Sequence, residues 1–229
     1  ILPKHFAHTD EEPANVYAFI HAVSSRLREG QVTVVGNGSA CVVGGHAYII
    51  KKGQRFITNS AIASMGYDLP AAIGAWTASR DKGCYSQGGD RSGEDLILVT
   101  GDGSMQMNLQ ELQTIIHHRM GIKIFVINNG GYHSIRQTQK NFFGEPLIGI
   151  GVDSGDLSFP ALDKLAAAYG YPYVSARHNS ELGEAVEKTL AAEGPAICEV
   201  FVSMDQNFEP KSSAKRLPDG TMVSPPLED

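Results

Sequence analysis

Leu96-Ile97-Leu98-Val99-Thr100-Gly101-Asp102-Gly103-Ser104 is the stretch whose reading decides the fold. Its four consecutive aliphatic residues show no polar alternation, the pattern of a strand buried on both faces. Gly101-Asp102-Gly103 ends the run. Residues 104–118 then read as one helix, with Met105, Leu109, Leu112 and Ile116 on a single face. A second apolar run, Ile122 to Ile127, closes on Asn128-Asn129-Gly130-Gly131. Strand, helix and strand in this order make a crossover unit, and such units join parallel strands with a right-handed turn. The pattern recurs outward in both directions. Upstream, Val16, Phe19, Ile20, Val23 and Leu27 predict a helix with Pro13 in its first turn, Val32 to Val35 and Arg55 to Thr58 read as strands, and Leu69 to Ser79 as an Ala-rich helix. Gly36-Asn37-Gly38-Ser39 reads as a turn between them. Downstream, a short helix precedes Phe159 to Tyr169 (helix), Tyr173 to Ser175 (strand), Ser180 to Ala192 (helix) and Ile197 to Val202 (strand). The expected class is α/β: a doubly wound, mainly parallel sheet with helices on both faces.

The 229 residues carry a net charge of −6, with 42% hydrophobic and 19% charged residues. That balance describes an ordinary globular core and argues against a nucleic-acid surface, which would need a basic patch. No apolar run approaches the roughly 18 residues of a membrane span. Cys41, Cys84 and Cys198 are scattered, form no CxxC pair and suggest neither disulfides nor zinc, so a reducing cytoplasm is expected. Arg80 to Glu94 is Gly-rich and charged and reads as a mobile surface insertion. The start at Ile1 and the closing Ser-Pro-Pro-Leu-Glu-Asp suggest a piece of something larger. The domain reading is therefore a linker over 1–13, one domain over 14–203 and a tail over 204–229 that wraps over the surface.

Ligands of such sheets bind beyond the carboxyl ends of the strands, where the strand order reverses. Three strand ends qualify: Gly36 to Ala40, Gly101 to Ser104 and Asn128 to Gly131. The 24 residues between Gly103 and Asn128 fit one helix and one strand, so Asp102 and Asn129 should arrive side by side. A carboxylate, an amide oxygen and a nearby backbone carbonyl form a hard oxygen site suited to Mg²⁺, which completes its octahedron with phosphate and water. Gly101 and Gly103 allow close backbone approach to an anion, and the helix starting at Ser104 offers free N–H groups. Taken alone, Gly36-Asn37-Gly38-Ser39-Ala40 also admits a dinucleotide site, but it lacks the GxGxxG spacing.

Gly-Asp-Gly, a helix and a strand, then Asn-Asn resembles the binding motif of thiamine diphosphate (ThDP) enzymes of the acetolactate synthase and pyruvate decarboxylase kind. The resemblance spans roughly residues 14 to 202 and corresponds to their C-terminal diphosphate-binding domain. It implies Asp102, Asn129 and the Gly131 carbonyl as Mg²⁺ ligands. Thr58 to Ala75 (TNSAIASMGYDLPAAIGA) resembles the segment that holds the aminopyrimidine. Met65 then wedges beneath the bent cofactor, beside Ser64, and the Ala63 carbonyl receives the 4′-amino group. Asn37, Gly38 and Ser39 correspond to a further diphosphate-contacting turn, where Ser39-Ala40 departs from the Gln-His common in acetolactate synthases. Gly130, Gly131, Tyr132, His133 and Ser134 correspond to residues whose backbone closes over metal and diphosphate; His133 is read either near the reacting end or as an ordinary histidine.

The implied function is ThDP- and Mg²⁺-dependent decarboxylation of a 2-oxo acid followed by carboligation, with pyruvate a plausible donor. The activating glutamate belongs to a pyrimidine-binding domain on a partner subunit, so the resemblance implies a homo-oligomer and an inactive isolated chain with no catalytic residue of its own. Competing readings are the small subunit of a split ThDP oxidoreductase or decarboxylase, a non-catalytic ThDP-binding module, and a flavodoxin-like nucleotide binder.

Overall fold

The computed structural model describes residues 3–80, 95–210 and 215–223. The insertion read over 80–94, apart from Arg80, lies outside the described residues, as does Cys84. Asn15 caps the first helix, α1 (Val16–Arg26), by accepting from the Tyr17 and Ala18 backbone N–H groups at 2.8 and 3.2 Å. The helix therefore starts after Pro13, not around it, because the Asn15 side chain meets the first free donors. Then come β1 (Val32–Val35), α2 (Ser39–Ala47), β2 (Arg55–Ile57), α3 (Asp68–Arg80) and β3 (Leu96–Gly101). They are followed by α4 (Asp102–Gln106), α5 (Glu111–His117), β4 (Ile122–Asn128), α6 (His133–Phe142) and α7 (Leu162–Tyr169). The chain continues through β5 (Tyr173–Ala176), α8 (Leu182–Ala191), β6 (Ala196–Phe201) and a small hairpin of β7 (Lys215–Arg216) and β8 (Met222–Val223).

The main sheet has six strands in the order β2-β1-β3-β4-β6-β5, every neighbouring pair parallel. Alternate residues of the central strands feed two cores. Val35, Val99, Phe125, Ile127 and Val200 pack under α1, α2 and α8; Val34, Leu98, Ile124, Val126 and Ile197 pack under α3, α5 and α7. Aliphatic runs without polar alternation thus arise because both faces are covered. From β1 the chain passes to β2 on one side and then to β3 on the other, which puts the reversal of strand order between β1 and β3.

The turn read over Gly36 to Ser39 leads into a helix that the sequence reading left unassigned, although Val42, Val43, Gly44 and Gly45 are poor helix formers. Burial of Ala40, Val43 and Ala47 in the core imposes it. Residues 104–118 do not form one helix. The chain breaks at Met107 to Gln110, where the Asn108 side chain donates to the Gly66 carbonyl at 2.7 Å and backbone bonds tighten to i→i+3 spacing. The start of the tail is also less superficial than expected. Phe208 is buried, Gln206 Oε1 accepts from the Val16 N–H at 2.9 Å, and the Tyr17 hydroxyl donates to the Glu209 carbonyl at 2.9 Å. At the other end, the Phe6 carbonyl accepts from Asn179 Nδ2 at 2.9 Å, so part of the segment read as a linker lies against the domain. Among the described residues, no helix is long and apolar enough to cross a membrane.

Candidate cofactor and metal site

Three helices begin at the carboxyl edge of the sheet beside the switch point: α2 after β1, α4 after β3 and α6 after β4. In none of the three does the N-cap residue's side chain bond the first N–H groups, and in α4 the Asp102 carboxylate takes only the Gly103 N–H. Uncapped helix starts leave oriented donors and a positive dipole end, which favours an anion where they converge.

They converge on one pocket of about 90 Å³. Asn37, Gly38, Ser39, Met65, Gly101, Asp102, Gly103, Ser104, Asn129, Gly131, Tyr132 and His133 all line it, so twelve of the fourteen residues singled out from sequence meet there. Ala63 and Ser64 do not. Ser64 is exposed and its Oγ accepts from Asn59 Nδ2 at 2.9 Å, while Ala63 holds a left-handed φ of 55° that a residue with a Cβ rarely adopts. Ser134, read as part of the segment closing over the site, lines it too, whereas the sequence reading missed Ile127 and Ile135, whose only signal was proximity to the Asn pair. Met65 is half-buried and belongs to neither apolar core. Its segment is stitched to the site by the Gly66 N–H, which donates to Ser104 Oγ at 2.9 Å.

Asp102 is only 7% exposed. Burial pushes its carboxyl up to about 7, against the opposing pull of the Gly103, Gly131 and Gly130 backbone N–H groups and the Arg136 charge. Gly103 donates to Oδ1 at 2.8 Å and Gly131 to Oδ2 at 3.0 Å. A carboxylate so placed wants more positive charge than the protein supplies. Asn129 Nδ2 donates to Ser39 Oγ at 3.2 Å, which leaves its Oδ1 buried with no hydrogen-bond partner among the described residues. Such an orphan is costly unless a ligand meets it.

Gly131 closes the cradle with a φ of +141°, and a Cβ there would run into the Ile150 carbonyl oxygen. A Cβ on Gly103 would run into the Tyr132 ring. A buried carboxylate, an orphan amide oxygen and the backbone carbonyl of Gly131 form an all-oxygen set that fits a hard cation such as Mg²⁺. Among the described residues no group of three or more His, Cys, Asp or Glu is arranged to hold a metal ion. His133 is buried in the pocket wall and its Nε2 lies 2.9 Å from the Gln206 carbonyl, while its ring meets Phe208 edge-on. The start of the tail therefore braces this wall.

The family model for the thiamine pyrophosphate enzyme, C-terminal TPP binding domain, matches residues 36–200. The chain belongs to the thiamine pyrophosphate enzymes. It is similar to the acetolactate synthase large subunit of Cyanidium caldarium, 33% identical over 157 residues that cover 68% of this chain and 24% of that protein. The acetolactate synthase of Arthrospira platensis is 31% identical over 69% of this chain and 24% of its own length. The chain thus spans about a quarter of the length of these relatives. The benzoylformate decarboxylase of Polynucleobacter necessarius superposes with a TM-score of 0.72 at 19% identity, over 89% of this chain and 36% of that one, a likeness of fold. The matched span of the TPP-binding domain begins at Gly36 and contains every pocket residue named above.

Proposed function

We propose that this TPP-binding domain holds the diphosphate of ThDP through Mg²⁺ bound by Asp102, Asn129 Oδ1 and the Gly131 carbonyl, within an enzyme that decarboxylates a 2-oxo acid such as pyruvate and carboligates the product. The buried, unpartnered Asn129 Oδ1 beside the buried Asp102 carboxylate carries this reading. Bound there, ThDP supplies an electron sink for the carbanion left when the 2-oxo acid loses carbon dioxide.

The chain's own residues anchor and shape. The N–H groups after Gly38, and those after Gly101 that Asp102 does not take, would face the diphosphate, and the Ser104 hydroxyl, by accepting from Gly66, keeps the Met65 segment at the pocket. Met65 would lie against the bound cofactor, and Ala63, at its strained φ of 55°, would offer its carbonyl to the aminopyrimidine. Backbone strain of this kind persists where the surroundings over-determine it, commonly at ligand sites.

The glutamate that activates the pyrimidine comes, in this proposal, from a pyrimidine-binding domain of a partner subunit in a homo-oligomer. A pocket of 90 Å³ is well below the ~300–1,000 Å³ of sites that enclose a small molecule, so it suits the anchored end of the cofactor alone. Ile62, beside Ala63, is 81% exposed, an apolar side chain suited to cover by such a domain. Cys41 and Cys198 are free thiols, in keeping with the cytoplasm.

Calorimetric titration of the full-length protein with ThDP, with and without Mg²⁺, followed by a pyruvate decarboxylation assay, tests the proposal. Binding without any dependence on a divalent ion would refute the metal assignment. The 229-residue chain alone is expected to fold and to show no turnover at saturating ThDP and Mg²⁺; clear turnover would place the activating acid within it. In the full-length enzyme, Met65→Ala is expected to lower turnover by roughly 10- to 100-fold, the scale of small misplacements at a reacting centre. ThDP affinity should fall much less, because the diphosphate anchor is untouched. Normal turnover in that variant would remove Met65 from the site.

A further inference from the structure

Among the described residues Arg136 is one of the largest fully buried side chains, at 1% exposure, and it does not line the cofactor pocket. It lies in the first turn of α6, with its backbone N–H bonded to the Tyr132 carbonyl at 2.9 Å. Its guanidinium reaches back over the turn that carries two of the proposed metal ligands. Nη1 donates to the Asn129 carbonyl at 3.1 Å and Nη2 to the Gly130 carbonyl at 3.1 Å. The other edge of the fork is held by Asp153, through Nε to Oδ2 at 2.8 Å and Nη2 to Oδ1 at 2.9 Å.

We propose that Arg136 is a positioning residue for the divalent cation. Clamped by Asp153, it holds the carbonyls of Asn129 and Gly130 so that the turn presents Asn129 Oδ1 and the Gly131 carbonyl to the cradle. The inference rests on the metal reading given under Proposed function and goes beyond it to a residue that touches neither metal nor cofactor.

The bonding of the turn supports this. Gly130 N–H donates to Asn128 Oδ1 at 3.1 Å, Gly131 N–H to Asp102 Oδ2 at 3.0 Å and Tyr132 N–H to the Ile150 carbonyl at 2.7 Å. With Arg136 on two successive carbonyls, the Gly131 carbonyl is the next along the chain, and no hydrogen bond reaches it among the described residues. One planar group with five fixed donors can hold two adjacent carbonyls and a carboxylate at once, whereas an ammonium is a point charge with no fork. Asp153 also neutralises a charge that would otherwise oppose a dication close by. Asp153 lies at the surface, so the guanidinium alone is fully buried, and a charge buried for stability alone would contribute little.

The test uses the full-length enzyme and reads the Mg²⁺ concentration that gives half-maximal ThDP binding by calorimetry, with melting temperatures taken on the same samples. Arg136→Lys and Asp153→Asn are each expected to raise that concentration by about 10- to 100-fold, the range for residues that orient metal ligands. Arg136→Met should raise it further, with Arg136→Lys a partial rescue. A role in stability alone would lower the melting temperature and leave the half-saturating Mg²⁺ of the folded protein at its wild-type value, which overturns the proposal. Should the Arg136 variants not fold, Asp153→Asn decides, because it retains the buried Arg136 side chain and loosens only the clamp that aims it. Asp102→Ala run in parallel separates the two readings. If it too leaves the Mg²⁺ dependence unchanged, the metal assignment itself is wrong; if it abolishes binding while the other variants match wild type, only the role of Arg136 is lost.

Discussion

Asp102→Ala in the full-length enzyme is expected to remove Mg²⁺-dependent ThDP binding, by more than about a hundredfold in metal affinity. Loss of a group that only orients a metal ligand already costs roughly 10- to 100-fold, and Asp102 is the one charged ligand of the proposed set. The fold should survive. Its carboxylate is buried and pushed up to about 7, so it is incompletely compensated, and its removal relieves a desolvation penalty. The Gly103 and Gly131 N–H groups that it releases face a pocket that water can enter. Asn129→Ala should weaken binding in the same direction but less, because a neutral oxygen attracts a dication less strongly. Titration with ThDP and Mg²⁺ alongside a thermal melt checks both halves. Unchanged affinity in Asp102→Ala would end the metal assignment, and a collapsed melt would show that the residue is structural.

Gly131→Ala is the second large effect expected, and unlike the first it should damage both fold and site. The residue holds a φ of +141°, and a Cβ would fall on the Ile150 carbonyl oxygen and 2.7 Å from Gly151 Cα. Both obstacles are backbone, joined to this turn by the Tyr132 N–H bond to Ile150 and the Val152 N–H bond to Gly130. Neither can rotate aside. The conformation alone costs roughly 1–3 kcal/mol, and opening the paired segments adds to it. Denaturant unfolding of the variant should show at least that loss, and its ThDP binding should no longer respond to Mg²⁺. Gly103→Ala makes the contrast: the obstacle is the Tyr132 ring, a side chain that can turn, so its stability loss should be smaller. Equal losses in the two variants would mean that the Ile150–Gly151 contact does not control the turn.

Much of this was legible from local pattern. Leu96 to Val99 and Ile122 to Ile127 could be read as buried strands because a parallel sheet covered on both faces demands aliphatic residues at every position. The turns at their ends could be read because Gly-Asp-Gly and Asn-Asn-Gly-Gly carry unusual backbone freedom and oxygen donors at crossover spacing. The misreadings share one cause. Val42 to Gly45 has poor helix propensity, and only burial of Ala40, Val43 and Ala47 makes α2 a helix. Met105, Leu109 and Leu112 keep helical spacing across a break that a side chain from Asn108 to Gly66 imposes. Arg136 was overlooked as a polar residue among glutamines and a lysine, because its partners are the carbonyls of a preceding turn and a carboxylate from a separate loop.

The sequence by itself determined the sheet, the crossover that sets Asp102 beside Asn129, and the kind of atoms offered to a ligand. Those follow from local periodicity and from side-chain chemistry. The tertiary structure alone decided which of those atoms are left without partners. Ser39 takes the Asn129 amide nitrogen and Arg136 takes two successive carbonyls, which leaves Oδ1 buried and unmet beside a carboxylate short of positive charge. Satisfaction of a buried polar group depends on every element that reaches it. No single stretch of chain contains that information.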